Sequence, residues 1–208
     1  MVGKEEAALA VESGVFLLVL LNPFLLSIYL IDLVDSLSFV QLGRVLLRAS
    51  LISGAVFCLF AWSGDALLIR LFHVRFASFL LFGGVVFLLI GIRFVLMGGE
   101  AIRALRGPAK HVAGSIAMAF MIGPGTVSAS VFAGTRLPFL LAVLSIVGAL
   151  AATSAMVLVL KFMHDAVKRR TEEVIERYVD IVGRLSALVI GTIAVEMILQ
   201  GFEMLHEP

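Results

Sequence analysis

The 208-residue chain is 61% hydrophobic and only 15% charged, with a mean hydropathy of +1.12, whereas a soluble domain is nearer half apolar and a quarter charged. That balance excludes an ordinary water-soluble domain and predicts a single polytopic membrane domain, because several apolar runs approach the about 20 residues a spanning helix needs. The net charge of +1 names no partner, and the basic residues flank the apolar runs without aromatic interleaving, which argues against nucleic acid.

In chain order, the N-terminus opens Lys4-Glu5-Glu6 with Glu12 following. A secretory leader wants a basic start and a small-residue cleavage site, so the first apolar stretch is expected to stay. It runs roughly Ala8–Val34 and is interrupted at Asn22-Pro23, with Asp32 and Asp35 marking a membrane exit. A second span is expected over Val45–Trp62, with Arg48 near its start. Gly64–Arg75 follows, as a short interfacial helix or an extension of span two. The third span is Phe76–Met97, carrying Gly83-Gly84, Gly91 and Arg93, and a polar loop covers Gly98–His111.

The second half repeats the plan. Span four is Val112–Ala133, broken at Gly123-Pro124-Gly125; span five is Leu137–Leu160; a polar stretch, Lys161–Arg184, leads to span six, Leu185–Leu205. Proline removes a backbone donor and glycine relaxes the φ limits, so both breaks should unwind a helix. Both third spans open with an arginine, Arg75 and Arg184, and reach glycine after an apolar run. The expected fold is therefore an all-α membrane protein of six transmembrane helices. They form two inverted three-helix repeats, about 8–97 and 112–205 around a cytoplasmic loop at 98–111, with helices 1 and 4 broken near the midplane. Lys4, Arg70, Arg75 and Arg136 fall on one side, and every other basic residue except Arg93 falls on the other. Both termini are thus expected outside a cell membrane.

Matching interruptions in two halves are the best sequence pointer to a transporter's site. At the second break Gly123, Pro124 and Gly125 free backbone groups, and Thr126 and Ser128 start a half-helix whose N–H groups suit a carboxylate. The bland alternative is a proline kink that helps helices pack. Asn22 and Pro23 offer a cap or a cross-helix hydrogen bond. Glu196, mid-span, would carry a proton, coordinate a cation or meet an ammonium group; its bland role is a partner for Arg93, which alternatively snorkels inward. Gly84 with Gly91, Gly148 with Ala152, and Ala151 with Ala155 have helix-packing spacing. Lys168–Asp180 reads as a solvated helix, with Lys168-Arg169-Arg170 placed to touch anionic lipid headgroups.

No enzyme signature is present. His73, His111, His164 and His206 lack the spacing of a helical metal pair, Cys58 is the single cysteine, and neither metal nor cofactor is expected.

Asn22-Pro23, Ile122-Gly-Pro-Gly-Thr-Val-Ser128, Arg75–Ile90 and Arg184–Phe202 resemble the MarC family of six-span membrane proteins. The resemblance covers nearly the whole chain. It implies a LysE-type superfamily transporter of neutral amino acids such as glycine and alanine. The family's usual glycine and second proline after Asn-Pro are missing from Phe24–Tyr29, and Glu196 stands where glutamine is more usual. The expectation is alternating-access transport of a small zwitterion, with proton or sodium coupling and homo-oligomerisation left open. The alternatives are an ion or small-solute channel, or a non-transporting partner-binding or regulatory protein.

Overall fold

The computed structural model describes residues 2–30, 34, 37–64, 66–97, 121–167 and 172–206. The basic loop at 98–111, the start of span four at 112–120, Asp32, Asp35 and Lys168–Arg170 lie outside them. Every regular element among the described residues is a helix: α1 Val2–Leu21, α2 Pro23–Tyr29, α3 Phe39–Ser63, α4 Ala66–Phe72, α5 Phe76–Met97, α6 Pro124–Arg136, α7 Phe139–Val167 and α8 Glu172–His206.

Four of these are long and apolar enough to cross a membrane: Phe39–Ser63, Phe76–Arg93, Phe139–Ala166 and Ala187–His206. Only 17% of the last span is buried inside the chain. Its exposed Leu188, Val195, Leu199 and Phe202 form an apolar face that water would not tolerate and lipid would. α1 is less apolar because Lys4, Glu5, Glu6 and Glu12 share its first turns.

Local chemistry sets the boundaries. α3 starts six residues before the expected Val45 because Ser38 and Gln41 form a reciprocal capping box: Ser38 Oγ accepts from the Gln41 N–H at 3.3 Å, and the Ser38 N–H donates to Gln41 Oε1 at 2.9 Å. It ends at Gly64, whose φ of +58° favours glycine. α4 is therefore a separate short helix. α5 occupies the expected Phe76–Met97. α7 runs past the expected end at Leu160 and takes in Lys161, read from sequence as the start of a polar stretch. Lys161 is only 3% exposed; its charge is met by Asp165 at 3.0 Å and by the Val34 carbonyl at 2.6 Å.

The contacts fix helix directions. Along α3 and α7, Gly43 faces Leu158, Ser50 meets Ser154 at 3.0 Å and Gly54 faces Leu150, so the pair is antiparallel. Along α5 and α8, Gly84 faces Ala194 and Ile198 while Gly91 faces Ala187 and Gly191, again antiparallel. The chain from α1 through α2 to Val34 advances in the same direction as α7: Ser145 Oγ donates to the Ala10 carbonyl at 2.8 Å, and Lys161 meets the Val34 carbonyl. Of the small-residue pairs expected from sequence, Gly84 and Gly91 lie in the α5–α8 seam. Gly148 has open space beside it, and Ala151 and Ala155 are exposed.

α6 joins two cores. Its Val127, Ala129 and Ala133 pack with α1, α2, α3 and α7, around Leu21, Leu46, Phe57 and Ile146. Its Val131 packs with Phe76 and Leu80 of α5 and Met197 of α8. Phe132 meets Phe76 edge to face with centroids 5.9 Å apart.

Candidate functional site

Pro23 carries no N–H, so the Val19 carbonyl loses the donor that would close its helical turn. Asn22 absorbs the bend at φ +42°, in the left-handed region that asparagine tolerates. Asn22 is the hinge residue of both helices: its N–H donates to Leu18 O at 3.1 Å and closes α1, and its carbonyl accepts from the Leu26 N–H at 2.9 Å and opens α2.

The Gly123-Pro124-Gly125 turn is built differently. α6 begins at Pro124 with Gly123 as its N-cap, and glycine has no side chain to accept from the first turn. Thr126 supplies half of a cap in reverse. Its Oγ1 accepts the Gly123 N–H at 2.9 Å and lies within donating distance of the carbonyls of Met121 (2.8 Å) and Gly123 (3.0 Å). Ser128 Oγ donates to Pro124 O at 2.7 Å, and Ser130 Oγ to Thr126 O at 2.7 Å. The Thr126 and Ser128 hydroxyls, expected from sequence to reach a solute, are taken up by backbone carbonyls of their own turn and helix. The groups left over are the amides of Gly125 and Thr126, in the first turn, which have no capping side chain.

The two turns are neighbours. A β-carbon at Gly125 would sit 3.3 Å from Leu20 Cδ2 and 2.6 Å from Phe87 Cε2. Phe87, on α5, also covers Gly123 at 3.3 Å. On the other side of the turn Pro124 fills the notch at Gly83, where a β-carbon would collide with its ring, and Met197 closes the same notch from α8. Pro23, Gly125, Thr126 and Ser128 are buried; Asn22, Gly123 and Pro124 are half-buried.

A groove of about 1630 Å³ opens alongside, between α1, the outer part of α6 and α8. This exceeds the about 300–1,000 Å³ of a closed small-molecule pocket; it is an open, vestibule-like groove, and Leu188 of the apolar α8 face lines its edge. Its walls are apolar, with Glu12, Ser13, Arg136, Thr192, Gln200 and Glu203 as polar exceptions. It reaches down to Val19, the residue whose carbonyl Pro23 leaves without a donor.

Glu196 shares a helix face with Thr192 and Gln200. It is exposed, and one carboxylate oxygen accepts from Gln200 Nε2 at 2.9 Å. Its next neighbour, Met197, lies opposite Gly83, whereas Arg93 stands ten residues farther along α5, about 15 Å at helical rise. Arg93 is itself exposed. The register therefore separates two residues whose pairing was one sequence expectation.

Sequence reasoning missed Phe87, since nothing distinguishes it among sixteen phenylalanines. Among the carbonyls at the end of the first helix it did not single out that of Val19, which the i→i−4 rule applied to Pro23 would have found. A family model described as MarC family integral membrane protein matches residues 8–206. No curated protein and no solved structure matches the chain.

Proposed function

The chain belongs to the MarC family of integral membrane proteins, and from that premise we propose that it transports small neutral amino acids of the glycine and alanine kind by alternating access. The observation that carries the proposal is the approach of Leu20 to Gly125. It brings the carbonyl end of α1 beside the amide end of α6. A zwitterion needs an acceptor for its ammonium group and donors for its carboxylate at short separation. The Val19 carbonyl offers the first, and the Gly125 and Thr126 amides with the positive end of α6 offer the second. The site so drawn comprises Asn22, Pro23, Gly123, Pro124, Gly125, Thr126 and Ser128, the last two acting by holding the turn. Phe87 forms its wall.

Packing supports the inverted-repeat reading. A two-fold axis in the membrane plane would exchange spans one and four, two and five, three and six. It requires the exchanged pairs α3–α7 and α5–α8 to be antiparallel, as they are. It also requires α2 to meet α7 and α8 as α6 meets α3 and α5, and those four contacts all occur. Under this reading α1 with α2 is the first span, interrupted near the midplane, and the vestibule opens to the side bearing both termini. Glu196, beside Gln200 and Thr192, is the residue proposed for ion or proton coupling; Arg93 lies too far along α5 to serve it directly.

The test is uptake of labelled glycine and alanine into proteoliposomes of the purified protein, with imposed proton or sodium gradients. Saturable uptake and counterflow are expected. Flux that rises linearly without counterflow indicates a channel, and no flux indicates a partner-binding or regulatory protein; either overturns the proposal.

A further inference from the structure

Lys161 is a lysine of a membrane-crossing helix that is almost wholly withdrawn from solvent, at 3% exposure. A buried ammonium is tolerated only where it is paired and hydrogen-bonded. Here the partners come from two different spans. Asp165, one turn farther along α7, lies 3.0 Å away, is half exposed, and has His164 Nδ1 3.7 Å from its other oxygen. The second partner is the backbone carbonyl of Val34 at 2.6 Å, 127 residues away in sequence.

Beyond α2, the Leu30 N–H donates to Leu26 O at 3.0 Å and the Val34 N–H to Leu30 O at 2.8 Å, so helical bonds tie Val34 back to α2. Side-chain packing joins α2 to α7 through apolar residues such as Leu26 and Leu30. Beyond α2, the Lys161–Val34 bond is a polar tie to α7 at the end remote from the vestibule.

We propose that Lys161 is a latch. Its ammonium group pins the far end of the first span to α7, keeps that mouth shut while the vestibule is open, and must let go of Val34 before the opposite mouth opens. The inference rests on the alternating-access reading for its role in transport, but the latch itself is a statement about two mouths and is measured without solute. Lys161 touches no solute; it is a positioning residue for the first span.

The asymmetry of the pair makes it testable. Lys161→Met keeps the bulk of the side chain, and it leaves Asp165 at 49% exposure, where solvent can stabilise it. Lys161→Arg keeps a donor for the Val34 carbonyl. With Cys58 replaced by serine, a single reporter cysteine is placed at Leu46, which is 1% exposed and lies one turn to the core side of the latch, or at Ser13 in the vestibule. Labelling by a small water-soluble maleimide is followed in membranes opened to both sides. Lys161→Met should speed labelling at Leu46→Cys roughly tenfold, as expected when one charge-assisted bond is lost from the closed state alone. It should slow labelling at Ser13→Cys, because opening one mouth closes the other. Lys161→Arg should behave nearly as the parent. If Lys161→Met speeds both reporters alike, Lys161 merely stabilises the fold and the latch is wrong; if it moves neither, the bond does no gating. A reciprocal response in a protein that shows no amino acid flux leaves the latch standing and removes the transport reading. Flux with counterflow but no reciprocal response does the reverse.

Discussion

Thr126 shows how much of the Gly123-Pro124-Gly125 turn is held together by one hydroxyl, which accepts the Gly123 amide and faces two carbonyls within its own turn. Thr126→Val keeps the shape and removes these bonds. A buried turn left so should lose about 1–2 kcal/mol, lowering the melting temperature in detergent by roughly 2–8 °C, while Thr126→Ser stays close to the parent. Gly125 is different, since its role is to have no side chain. Gly125→Leu would fill the space between Phe87 and Leu20 and should abolish uptake with insertion and size-exclusion profile intact. Gly125→Ala should slow uptake, and adding Phe87→Ala should recover part of it by withdrawing the ring that a β-carbon would meet at 2.6 Å. Normal transport by Gly125→Leu would remove this turn from the site. Glu196 makes a narrower claim. Its carboxylate accepts from Gln200, and glutamine at 196 could keep that bond while losing the proton. Glu196→Gln should therefore retain counterflow and lose stimulation by an imposed proton gradient; unchanged stimulation would discharge Glu196 from coupling.

The helices differ in how tightly they can be pressed together, and glycine marks the places. At Gly134 a β-carbon would run into the Ala61 carbonyl of α3, a backbone atom that cannot turn aside, whereas beside Gly148 of α7 there is open space. Gly134→Ala should thus destabilise by about 1–3 kcal/mol through separation of α3 from α6. Gly148→Ala should be neutral or stabilising by up to about 1 kcal/mol through helix propensity. Thermal denaturation of the two variants side by side checks the pair, and equal effects would contradict the packing. This contrast was not readable from sequence, where Gly148 with Ala152 has the same spacing logic as Gly84 with Gly91. Periodicity tells which residues are small, not which have a helix opposite them. The same limit explains the helix ends. The Phe76–Met97 boundaries were legible because charge and glycine bracket an apolar run. The end of α7 was not, because a lysine looks polar until Asp165 and the Val34 carbonyl are seen beside it. The two prolines were legible as helix starts, at α2 and α6, but the meeting of their turns through Leu20 and Gly125 was a fact of packing.

At the scale of the whole molecule, directions of packing and placement of charge are independent lines that point one way. The shared direction of α7 and the chain from α1 to Val34, with antiparallel α3–α7 and α5–α8, puts the start of α1, Arg136 and the end of α8 at one end, and Ser38, Lys161 and Val34 at the other. The first end carries Glu12 and Glu203 beside Arg136 in the vestibule. The second receives, by sequence, most of the lysines and arginines, which are held back on the cytoplasmic side during insertion. The vestibule is accordingly predicted to face outward and the Lys161 latch inward. In intact cells, with Cys58 replaced by serine, an impermeant maleimide should label Glu5→Cys and Ser13→Cys but not Arg44→Cys, and permeabilising the cells should expose the last. Labelling of Arg44→Cys alone in intact cells would invert the molecule. The vestibule would then open to the cytoplasm, and the same two turns, with the same amides and carbonyl, would take up their solute from inside the cell.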